Sequence, residues 1–227
     1  MPLSQPIKSL ARSIVNPALE RKRLAVERTI PKVKLRRENM ANCRLLLDRD
    51  ELLRLLPTGA VCAEIGVDQG EFTESILRVT QPRELHLVDN WGSERYNDSK
   101  FERVRSKFAE ASARGQVHIH RRLSLDAVHD FSDEQFDWIY IDTTHAYELT
   151  ASELRAYAPK VRRGGIIAGH DYVMGNWING FRYGVVEAVH EFCVNEGWEL
   201  VYLTVEQVEN QSFAIRRMAD APARPGG

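Results

Sequence analysis

The stretch from Val61 to Leu77 constrains the fold more than any other part of the chain. An apolar run, a glycine turn and an amphipathic run follow one another there without a gap. Val61 to Ile65 is short and mostly apolar, as suits a central parallel strand. Gly66 and Gly70 bracket a loop, and Phe72, Ile76 and Leu77 then recur at helical spacing. The predicted order is strand, loop, helix. Glycines at such a turn accept positive φ and let a ligand approach the backbone, while the helix behind them offers unpaired N–H groups.

What binds at the turn depends on spacing. A dinucleotide fingerprint needs G-x-G-x-x-G, but here Glu64, Gly66 and Gly70 give an acid, one residue, Gly, three residues, Gly. The Glu64 carboxylate beside the turn suits a cationic ligand better than a phosphate. These residues resemble the nucleotide-methionine loop of class I S-adenosylmethionine-dependent methyltransferases. The resemblance implies S-adenosylmethionine as cofactor, held around Glu64, Gly66, Asp68 and Gly70. Glu84 to Val88 alternates into a second strand that ends at Asp89, and an acid at that tip is how nucleotide-binding sheets hold ribose hydroxyls. Asn90 and Trp91 follow as further cofactor-binding candidates; Trp91 and Tyr96 either cover the adenine or the substrate, or are surface aromatics. Val117 to His120 is a third strand, and Ser124 falls where the resemblance places an adenine contact.

The most apolar strand, Phe136 to Ile141, ends at Asp142 and is followed by Thr143, Thr144 and His145. A helix over 148–160 leads to Gly164 and Gly165, then to a strand running out at Gly169, His170 and Asp171. The carboxyl ends of the strands in an open parallel sheet form the ligand crevice, so Asp142, His145, His170 and Asp171 should converge there. Residues 173–183, with Trp177, Phe181 and Tyr183 among glycines, are either a substrate-facing lid or a packed connection. A helix over 185–192, a strand over 198–204 and a last strand over 212–216 complete the chain. The link between those strands is too short for a crossover, which makes the last one antiparallel. The expected fold is therefore α/β: a Rossmann-like, seven-stranded, mostly parallel sheet with the last strand antiparallel and helices on both faces. The resembled family has this architecture.

Within that family, Asp142 to His145 and Gly169 to Tyr172 look most like small-molecule O-methyltransferases, including the metal-dependent group that acts on sugars of macrolide antibiotics. Asp142 and Asp171 match carboxylates that bind magnesium in those relatives. His170 stands where the sugar-methylating group has an acid, and Thr143-Thr144 where related sequences often carry Gly-Asp. The candidate metal ligands are thus Asp142, His170 and Asp171, for Mg2+ or a softer divalent ion. His145 and His170 are the candidate bases, with Asp171 as the third catalytic residue. The predicted activity is methyl transfer from S-adenosylmethionine to a hydroxyl of a small molecule or glycan. Two other readings stay open: a nicotinamide-dependent oxidoreductase, against which the missing third glycine and Glu64 count, and a non-catalytic binding protein.

At 227 residues with 43% hydrophobic residues, the chain suffices for one α/β domain plus an appendage. A formal charge of -1 argues against a dedicated nucleic-acid binder. The three cysteines are scattered, without disulfide or zinc spacing, and no apolar run or signal-peptide core is visible, so a cytoplasmic protein is expected. Residues 1–39 form a basic arm whose apolar positions are interrupted by Pro6, Pro17 and Pro31, predicting short helices. Such an arm touches anionic lipid or substrate as a peripheral membrane contact, packs on a second subunit in a homodimer, lids the site, or is simply solvated. The methyltransferase domain is expected over 40–218, opening with a leucine-rich helix over 40–56, and 219–227 as a disordered tail.

Overall fold

The computed structural model describes residues 20, 21, 23–176, 180–206 and 208–219. Most of the basic arm, Trp177 and the tail beyond residue 219 lie outside the described residues. The chain divides into two units between Lys32 and Val33. In the smaller one, residues 23–29 are helical. No helix among the described residues is long and apolar enough to cross a membrane.

The larger unit runs β1 (Arg44–Leu46), α1 (Arg49–Leu55), β2 (Val61–Ile65), α2 (Glu71–Thr80), β3 (Glu84–Asp89), α3 (Asp98–Lys107), α4 (Ala109–Ala113), β4 (Val117–Arg121), α5 (Ser124–Ala127), β5 (Phe136–Ile141), α6 (Tyr147–Tyr157), β6 (Val161–Gly169), β7 (Gly175–Asn176), β8 (Phe181–Arg182), α7 (Val185–Glu196), β9 (Trp198–Thr204) and β10 (Phe213–Arg217). The eight strands of the main sheet lie in the order β1-β9-β10-β6-β5-β2-β3-β4. β10 is antiparallel to both neighbours, whereas β2, β3, β4, β5 and β6 pair in parallel. The Rossmann-like sheet with its reversed last strand is present.

β2 lies inside the sheet between β5 and β3 and is buried along its whole length. Val61, Ala63 and Ile65 pack on one face, with residues of α6 and α7, while Cys62 joins the other, with α1, α2 and α3. Helices on both faces remove the need for a polar side, and this is why the strand reads as a continuous apolar run. Asn39, expected in the arm, is buried in this unit and donates from Nδ2 to the carbonyls of Cys193 at 3.2 Å and Trp198 at 2.8 Å.

The start of this unit departs from expectation. In place of one helix over 40–56 there is an eighth strand, β1, parallel to β9, and then the shorter helix α1. Asp48 decides this: its carboxylate accepts from the Glu51 N–H at 2.7 Å as the helix N-cap, and Glu51 accepts in return from the Leu47 N–H at 2.6 Å. The helix therefore begins after Asp48. Leu45 and Leu47 stay exposed, and only Leu46 of β1 turns into the core.

Candidate active site

The glycine loop is held by its neighbours on both sides. Gly66 has φ +93°, and a Cβ there would lie 2.0 Å from the Asp142 carbonyl oxygen, so the end of β5 presses directly on the turn. Asp89 holds the loop from the other side: Oδ2 accepts from the Val67 and Asp68 N–H groups, each at 3.0 Å, and Oδ1 from the Trp91 N–H at 3.1 Å. A carboxylate has about four acceptor sites, so Asp89 keeps capacity for a hydroxyl donor. Asp68 is further tied to Lys100.

Two of the expected cofactor-binding residues lie outside the cleft lining. Trp91 does not line the cleft. It is 1% exposed, and its indole donates to the Asp68 carbonyl at 2.8 Å, bracing the loop from beneath. Gly70 does not line it either; at φ +73° it starts α2, where a Cβ would meet the Phe108 ring at 2.6 Å. The glycine is required there by helix packing. Glu64, Gly66, Asp68, Asp89, Asn90, Ser124 and Asp142 all line one cleft of about 730 Å³ at the carboxyl ends of the strands. Glu64 is buried at its floor, where burial pushes its carboxyl up to about 8 and Thr73 donates to Oε2 at 2.5 Å. At neutral pH and without a ligand, Glu64 is largely protonated.

The far end of the cleft gathers the expected catalytic groups. His145 Nδ1 lies 2.7 Å from Asp171 Oδ2, and the imidazole stacks on Tyr183 with ring centroids 4.2 Å apart. Asn210 donates to the other oxygen, Asp171 Oδ1, at 2.5 Å. Burial alone would raise the Asp171 carboxyl, but hydrogen bonds from His145, His170 and Asn210 hold it well below the usual carboxylate range. Its backbone is strained too, at φ 56°. His170 Nδ1 stands 3.7 Å from Asp142 Oδ2 and 3.6 Å from Asp171 Oδ2, whereas its Nε2 is buried without a partner. Burial pushes the Asp142 carboxyl up, and His170 opposes the shift. One donor atom from each of Asp142, His170 and Asp171 falls within 4.8 Å of the others.

In the segment expected to be a lid or a packed connection, β7 and β8 pair antiparallel, and Asn176, Phe181 and Tyr183 line the cleft. No sequence motif singles out Arg49. It opens α1, lines the cleft with Glu64, stacks over Phe72 at 4.8 Å and pairs with Glu209.

Residues 63–172, from β2 through β6 with the glycine loop and all four acidic and imidazole groups at the strand ends, match a family described as a methyltransferase domain. Over those residues the chain is similar to a methyltransferase domain. Solved structures agree in fold. A structural-genomics target from Corynebacterium glutamicum, 14% identical, aligns over 96% of this chain and 100% of its own with a TM-score of 0.58. Cofactor-bound Rv0187 from MTB is 19% identical over 95% of this chain and 97% of its own, with a TM-score of 0.56. The B. subtilis tRNA methyltransferase TrmK, 16% identical, aligns over 76% and 67% with a TM-score of 0.54. No curated protein matches the chain in sequence.

Proposed function

We propose that the chain is an S-adenosylmethionine-dependent O-methyltransferase acting on a hydroxyl of a small molecule or glycan. The observation that carries this reading is the His145–Asp171 pair. With Nδ1 bound to the carboxylate, His145, which lines the cleft, would carry its proton on that nitrogen and leave Nε2 as the acceptor. A hydroxyl placed against Nε2 would lose its proton to the ring as its oxygen attacks, and Asp171 would stabilise the resulting imidazolium. His170 does not suit this role, because its Nε2 is buried. S-Adenosylmethionine, when bound, supplies an already activated methyl group on a sulfonium, so the protein's task is alignment and proton removal.

The cleft fits this cofactor. Asp89 offers acceptors at the strand tip, Glu64 offers a carboxyl that ionises readily beside a cation, and Arg49 offers a guanidinium to an amino-acid carboxylate. Asp142, His170 and Asp171 would hold a divalent metal, which lowers the pKa of a bound hydroxyl; two oxygens and a nitrogen admit Mg2+ or a softer ion. The acceptor class is supported by charge. Besides the largely protonated Glu64, five acids, Asp68, Glu71, Asp89, Asp142 and Asp171, line the cleft against three arginines, a setting that disfavours a polyphosphate backbone. The methyltransferase match leaves the nicotinamide reading without support.

A screen with methyl-labelled S-adenosylmethionine against hydroxyl-bearing sugars, phenols and bulk tRNA tests the proposal, and label in tRNA alone overturns the acceptor class. On the acceptor found, His145→Ala should lower turnover by roughly 10²–10⁴-fold while calorimetric affinity for S-adenosylmethionine is kept. Undiminished turnover would remove His145 as the base.

A further inference from the structure

A second cluster of ligand side chains lies away from the cleft, on β3 and the edge strand β4. The parallel register sets His86 beside His118, and Glu84 and His120 fall on the same face by the two-residue period. Asp89 at the end of β3 belongs to the cleft, so Glu84 and His86 are about 10 Å or more from it along the strand. The rings of His86 and His118 stack with centroids 4.8 Å apart. Glu84 Oε2 is 4.0 Å from His86 Nε2, and one donor atom each from Glu84, His86 and His118 lies within 4.8 Å of the others.

His86 is the group in this cluster without a structural explanation. It is 8% exposed, and Phe131 and Phe136 meet its ring edge-on, so it cannot swing into solvent. Nδ1 is engaged at 3.0 Å by His120 Nε2, which fixes the ring. Nε2 is buried with no hydrogen-bond partner. Leaving such an atom unpaired costs about 1–3 kcal/mol. An imidazole oriented through one nitrogen by a neighbouring side chain, with the other nitrogen bare beside a carboxylate, is how protein ligands to zinc are arranged.

We propose that Glu84, His86 and His118 form a site for Zn2+ or a similar borderline divalent transition ion, separate from the cleft. Two imidazole nitrogens and a carboxylate oxygen suit Zn2+ and leave a fourth position for water on the exposed side. Donor atoms around a tetrahedral Zn2+ stand about 3.3 Å apart, so the present spacing must close by about 1 Å. Glu84, 40% exposed, and the half-buried His118 can rotate to close it around the fixed His86. Arg83 holds Glu84 through Oε1, leaving Oε2 for the metal. The bound ion would staple the edge strand β4 to β3.

The test is calorimetric titration of the chelator-treated full-length chain with Zn2+. Because the Asp142 cluster can respond on its own, the reading is a difference between proteins. The wild type should bind one equivalent more than His118→Ala, and Glu84→Gln should weaken that equivalent at least tenfold. Co2+ in place of Zn2+ should give visible absorption bands that His118→Ala loses, while affinity for S-adenosylmethionine stays unchanged in both variants. Glu84→Gln alters only a surface carboxylate and serves if His118→Ala fails to fold. Equal Zn2+ stoichiometry and affinity in the wild type and the variants would overturn the site.

Discussion

Gly66 and Glu64 sit one residue apart, and a different force governs each. At Gly66 the constraint is contact: with 2.0 Å between a Cβ and the Asp142 carbonyl, alanine cannot enter unless β2 and β5 part, and its φ of +93° is strained besides. Gly66→Ala should therefore cost more than ~1 kcal/mol in urea unfolding and abolish binding of S-adenosylmethionine in calorimetry. A variant that binds normally would mean that the loop is not part of the cofactor site. At Glu64 the force is solvation. Its carboxyl rises from the ordinary 4.5 to about 8 in the folded chain, so folding favours the protonated form. That contribution is complete below pH 4.5 and is lost as the pH climbs through about 8. Wild-type stability should thus fall across this window with a slope of up to ~1.4 kcal/mol per pH unit, and Glu64→Gln should remove that component. Urea unfolding of both proteins at pH 5, 6, 7 and 8 measures it; identical slopes would show that Glu64 ionises freely in the folded state.

Among the elements, the seven strands expected from the sequence were legible because each carries its own apolar run. β1 was not, since a three-residue edge strand with one buried side chain leaves almost no periodic signal. The missed signal was local: Asp48 followed three residues later by Glu51 marks a helix start, and here it outweighs the leucines around it. Asp48→Ala should cost about 0.5–2 kcal/mol. In a unit of this size that lowers the melting temperature by about 2–4 °C per kcal/mol, and an unchanged melting curve would show the cap to be dispensable. The candidate site divides in the same way. Asp142, His145, His170 and Asp171 could be placed together because strand ends converge by topology alone. Arg49 could not, because it reaches Glu64 only through the packing of α1 on α2, which no local pattern encodes. Trp91 shows the reverse case: an aromatic beside an expected ligand reads as a contact, but its indole N–H satisfies the Asp68 carbonyl and its ring fills the core.

Over the whole molecule, charge and core are unevenly shared. Residues 1–32 carry seven lysines and arginines against two glutamates, so the formal net charge of -1 leaves residues 33–227 at -6. Among the described residues, both hydrophobic clusters begin at Leu35 or later, and the residues lining the cleft begin at Arg49. The larger unit thus holds its own core, sheet and candidate site, as a domain able to fold alone must. A chain shortened to residues 33–227 should keep the melting temperature of the full chain within about 2 °C, a shift worth less than ~1 kcal/mol. It should also keep the affinity for S-adenosylmethionine, read by calorimetry. If the shortened chain is stable but binds the cofactor more weakly, the basic segment forms part of the site and the cleft described above is incomplete. If cofactor affinity is kept while transfer to the acceptor falls, that segment belongs to acceptor capture. Raising the salt concentration should then depress transfer by the full chain while leaving the shortened one unaffected.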